Sequence, residues 1–169
     1  MVLGMSLATF TLVHVIISLI GIVAGLIVMF GLLGSKPKPG LTAIFLLFTI
    51  LTNATGFLFP FTQLLPSHMI AILSLVLLAI ACIALYAMQL AGAWRGIYVV
   101  TAMISLYLNV FVLVIQSFLK VPSLQALAPA VPPNPPSGPV FAVVQGIVLV
   151  FFVLIIIGAW RRFRPAALA

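Results

Sequence analysis

From Leu7 to Leu33 the chain runs without a lysine, arginine, aspartate or glutamate, and four later stretches of similar length do the same. A helix of about 20 mostly apolar residues matches the ~30 Å hydrocarbon core of a bilayer. Charged residues make up 4% of the chain, against about 25% in a soluble domain. A water-facing surface cannot be built from that supply. The expected fold is therefore all-α: a polytopic membrane helical bundle of about five transmembrane helices, forming one membrane-embedded domain over residues 1–169.

Punctuation sets the boundaries. The run GSKPKPG at 34–40 is a turn, with two prolines and two glycines. Pro60 and Pro66 bracket the next break, with Ser67 as an expected N-cap. Residues 68–119 wound as one helix would reach roughly 78 Å, so the chain must turn, and GAWRG at 92–96 is the suitable place. The expected helices are 7–33, 41–61, 67–93, 96–119 and 140–160. The fourth loop, VPSLQALAPAVPPNPPSGP at 121–139, is dominated by proline. It is expected to be polyproline-like rather than helical, a stiff connector across one end of the bundle.

Seven basic and no acidic residues superficially suggest a nucleic-acid partner. The charges are scattered between apolar runs, however, and read as topology signals, so no nucleic acid is expected. Lys36 and Lys38 fall in the first loop, Arg95 in the third, and Arg161, Arg162 and Arg164 in the tail. With five helices these places share one side, which the positive-inside rule makes the cytoplasmic one. The N-terminus is then outside and the C-terminus inside. Lys120 alone dissents. The first run has no basic segment before it and no clear cleavage site after it, and reads as a retained helix.

Helices in lipid associate through small residues, close packing and side-chain hydrogen bonds. At about 100° per residue, His14, Ser18, Gly21 and Gly25 share one face of the first helix, and Gly21–Gly25 is a GxxxG pair. Thr42, Thr49, Asn53, Gly56 and Pro60 share a face of the second. Thr52 borders that face, and Thr55 is expected to leave it. The third helix aligns His68, Ala79, Cys82, Tyr86 and Gln89. The fourth aligns Tyr98, Thr101, Ser105, Asn109 and Gln116, and the fifth offers Gln145. These faces are expected to turn inward as a semi-polar seam. Asn53, Asn109 and Gln145 fall at a common depth, roughly 18–22 Å from the inner boundary, with His14, Gln116 and His68 nearer the outer surface. The three carboxamides could satisfy one another or line an outward-facing pocket.

Without Asp or Glu, paired-carboxylate hydrolysis, a carboxylate-oriented Ser–His triad and an acidic metal cage are all excluded. Gly4-Met5-Ser6-Leu7-Ala8 only weakly imitates a nucleophile elbow, and no serine lies in the strand–turn–helix context that such chemistry uses. Cys82 has no partner cysteine and reads as a small apolar residue. His14 and His68 are the candidate cofactor ligands, for haem or a copper ion, although two histidines fall short of a structural zinc site. The leading expectation is an accessory or scaffold subunit packing with other membrane proteins or with further copies of itself. The alternatives are an outward-facing site for haem, a metal, a quinone or a lipid, and a small-solute transporter or channel. The arrangement is of a type with many small bacterial inner-membrane proteins, and that membrane is the expected location. A tag fused to the C-terminus should be reached by reagents only from the cytoplasmic side; labelling from outside the cell would reverse the orientation.

Overall fold

Ser6 begins the first helix: its hydroxyl accepts the N–H of Thr9 at 3.1 Å, and α1 runs Leu7–Leu33. The computed structural model describes residues 1–61, 65–128, 130 and 135–165. α2 spans Pro39–Gly56, α3 Pro66–Cys82, α4 Trp94–Lys120, α5 Pro122–Gln125 and α6 Pro139–Arg162. A π-helical turn, Ile83–Ala87, extends α3. Five of these helices are long and apolar enough to cross a membrane. Proline opens α2, α3, α5 and α6, where its missing N–H costs nothing.

Several boundaries differ from those the sequence suggests. α2 stops at Gly56 rather than near Phe61, because Phe57 and Leu58 turn back on the Ala54 and Thr55 carbonyls before Pro60. α3 is capped at Leu65, not Ser67, with Pro66 in the first turn. Its regular part ends at Cys82, well short of 93, and the chain then passes through positive φ at Gln89, Leu90 and Gly92. The fourth loop, expected to lack helix, opens with the single turn α5. Its prolines are concentrated further on, so residues 123–128 are free to coil. The polyproline expectation for Pro129 and residues 131–134 lies outside the described residues.

α1 lies along α2 and α3 along α4, as two antiparallel hairpins. α4 is the hub, touching α1, α2, α3 and α6, while among the described residues α6 rests against α1 and α4 only. Small residues permit this. A Cβ on Gly21 would sit 3.2 Å from the Thr49 hydroxyl and 3.3 Å from the α2 backbone. On Gly25 it would sit 2.6 Å from Leu106 of α4 and 2.8 Å from Phe45 of α2. The GxxxG pair is thus the point where three helices meet, as close-packing glycines allow.

The core is concentrated toward one end, around Met29, Phe45, Leu78, Val99, Met103 and Leu106, all fully buried. From Tyr107 to Ser117, α4 is only half-buried or exposed, so the bundle loosens toward the other end. The tight end is also the basic end. Arg95 Nη1 donates to the carbonyls of Trp160 at 3.0 Å and Phe163 at 2.6 Å. This satisfies acceptors that the last turn of α6 leaves open and sets a cation at its negative dipole end. The Ser35 hydroxyl donates to the Arg164 carbonyl at 2.9 Å and accepts the Arg164 N–H at 2.8 Å. The first loop, the third loop and the tail therefore meet at one end, as the charge pattern requires. Gly25→Val should cost about 1–3 kcal/mol by overpacking, read as a lowered thermal midpoint in detergent. Val at the exposed Gly146 should stay within ~0.5 kcal/mol.

Candidate functional site

The loose end carries both histidines, divided by the segment Phe57–Phe61. Its aromatic side chains alternate. Phe59 turns to α1, with its ring 4.9 Å from Phe10 and 5.1 Å edge-on to His14. Phe57 and Phe61 turn to α3, with centroids 5.4 and 4.3 Å from His68. Phe57 and Leu58 continue as a turn off the end of α2, and the chain leaves it through Phe59 and Pro60, so this short non-helical segment lodges its rings between two helices.

The histidines are held differently. His68 is buried, and its Nδ1 accepts the Leu65 N–H at 3.0 Å, closing the first turn of α3. Nδ1 must carry a lone pair to do so, which places the ring proton on Nε2. The nitrogen left over is then a donor, not a metal-binding lone pair. His14 is half-buried, with Nδ1 2.7 Å from the Thr55 hydroxyl. That hydroxyl also bonds the Leu51 carbonyl at 2.7 Å. Its one proton is used there, so it accepts from His14 Nδ1–H and leaves Nε2 of the neutral ring as a free acceptor. No group of three or more metal-ligating side chains occurs among the described residues.

Thr55 was expected to point away from the polar face, and it is instead the partner of His14. The cause is that α2 has several neighbours, α1, α3 and α4, and its polar residues are shared among them. Thr49 meets Gly21 of α1, while Asn53 turns to α3. Asn53 Nδ2 donates to the Ser74 hydroxyl at 3.1 Å and to the Thr49 carbonyl at 2.7 Å. Ser74 belongs to none of the stripes read from sequence. Its depth one helix away from Asn53 was the available signal.

The carboxamides do not bond one another. Gln145 Nε2 donates to the Phe111 carbonyl of α4 at 3.1 Å, and its Oε1 is buried without a partner. Asn109 Nδ2 is likewise buried and unpartnered, as is the Thr49 hydroxyl. Ser105 is fully buried and returns its proton to the Thr101 carbonyl at 2.9 Å. Gln116, expected to face inward, is exposed. The seam is therefore a set of separate helix–helix contacts: His14–Thr55 for α1 and α2, Asn53–Ser74 for α2 and α3, and Gln145–Phe111 for α4 and α6.

What this geometry defines is a class: an all-helical, membrane-type bundle with five candidate spans. No protein-family model, no curated protein and no solved structure matches the chain.

The pairing pattern separates two carboxamides. Asn53→Leu should lower stability by about 0.6 kcal/mol, the mean for a hydrogen bond between membrane helices. Asn109→Leu should be neutral or raise the melting midpoint, because it removes a buried donor that bonds nothing. A larger loss at Asn109 than at Asn53 would reveal a partner for Nδ2.

Proposed function

We propose that the chain is an accessory or scaffold subunit of a membrane, of the bacterial inner-membrane type, which packs laterally against a membrane protein or a second copy through α6. Gly146 carries this reading. Gly21 and Gly25 in the middle of α1, and Gly158 near the end of α6, each face a neighbour that a Cβ would crowd, whereas a Cβ on Gly146 would meet nothing. Glycine in a membrane helix earns its place where another backbone comes close. Around it Val143, Val150 and Leu154 are exposed, and only 6% of the apolar window of α6 is buried within its own fold. The helix offers an apolar ridge with a notch, which suits ridge-into-groove packing.

The haem, metal and transport readings draw less support. His68 presents a donor, and the hydrogen-bonded contacts of the seam are spread over different helix pairs. Val150→p-benzoylphenylalanine, illuminated in native membranes, should give a protein adduct of fixed mass, at twice the chain mass if the partner is a second copy. Gly146→Leu should reduce that adduct about tenfold, equivalent to ~1.4 kcal/mol. Adducts to lipid alone would end this proposal.

A further inference from the structure

Where α1 and α4 part toward the loose end, α6 closes one side of a groove of about 300 Å³. Ile22 and Leu26 of α1, Val110 and Leu113 of α4, and Ile147 and Phe151 of α6 line it. Every one is apolar, and they lie near the middle of their helices. The size is at the lower end of that seen for small-molecule sites. Water has no partner there, and hydrocarbon is the solvent that fits.

Lys120 stands on the same face of α4 as Leu113. The two are seven residues apart, close to two helical turns and about 10 Å. Lys120 is exposed in the last turn of α4. It is the one basic side chain away from the end where the other six gather, and so runs against the usual charge bias of membrane proteins. The chain has no acidic residue, so a counter-charge must come from another molecule.

We propose that the groove holds one acyl chain of an anionic phospholipid whose phosphate pairs with Lys120. The lipid lies with its chain along Leu113 and Val110 and its headgroup at the top of α4. A neutral amphiphile would use the groove but not the lysine. This inference stands apart from the lateral partner at Gly146 and needs only the bilayer.

The test uses the full chain in nanodiscs of equimolar dioleoyl phosphatidylglycerol and dioleoyl phosphatidylcholine. Leu113→p-benzoylphenylalanine is illuminated, and the headgroup of the crosslinked lipid is read by mass spectrometry. Phosphatidylglycerol adducts should exceed phosphatidylcholine adducts about fivefold, the effect of one lysine at an anionic surface. The added substitution Lys120→Gln should bring the ratio to about one, and Lys36→Gln at the opposite end should leave it unchanged. The same probe at Leu12, exposed on α1, should show no preference. An even ratio at Leu113, or a preference that survives Lys120→Gln, overturns the proposal.

Discussion

Helices surrounded by lipid gain nothing from hiding apolar surface, so their association rests on how closely their backbones approach. In this bundle that approach is made at Gly25. With no side chain there, Phe45 of α2 and Leu106 of α4 come to where a Cβ would stand. α1 is thereby fixed to both hairpins at once, and the buried core around Met29, Leu78, Val99 and Met103 gathers on the same side. Polar contacts follow this arrangement rather than create it. Each joins one pair of helices that packing has already brought together.

The basic end shows a second division of labour. Arg95 lacks a carboxylate partner anywhere in the chain and uses backbone carbonyls instead. One guanidinium ties the α3–α4 turn to the end of α6, next to Gly96, whose missing Cβ leaves room for the Trp160 indole. α6 is otherwise so exposed that this tie and the Phe118–Phe141 ring contact at 5.4 Å hold its two ends. Between them Gln145 and Phe152 face α4, while the other side, with Val143, Val150 and Leu154, is exposed.

Helix number and the gathering of six cations at one end were legible in the sequence, because length, punctuation and charge position act locally. The GxxxG contact was legible too, since glycine spacing survives any choice of neighbour. The detailed site was less so. A helical wheel finds the polar face but not which neighbour each residue meets, and α2 is shared among α1, α3 and α4. The wheel thus turns Thr55 off the polar face and sets Asn53 level with Asn109 and Gln145, whereas the neighbours they meet are His14 and Ser74. The π-turn after Cys82 left no signal either, since Ile83–Ala87 reads as ordinary apolar helix.

The aromatic segment Phe57–Phe61 has a mechanical meaning. α1 and α3 make no backbone approach to each other among the described residues. Beside the loose end they are joined by rings that alternate from one helix to the other across five residues. Such a segment works as a tie rod. Through it His14 of α1 and His68 in the first turn of α3 are linked by ring contacts. The two ends of the bundle are thus closed by different means, backbone hydrogen bonds at the basic end and rings at the other.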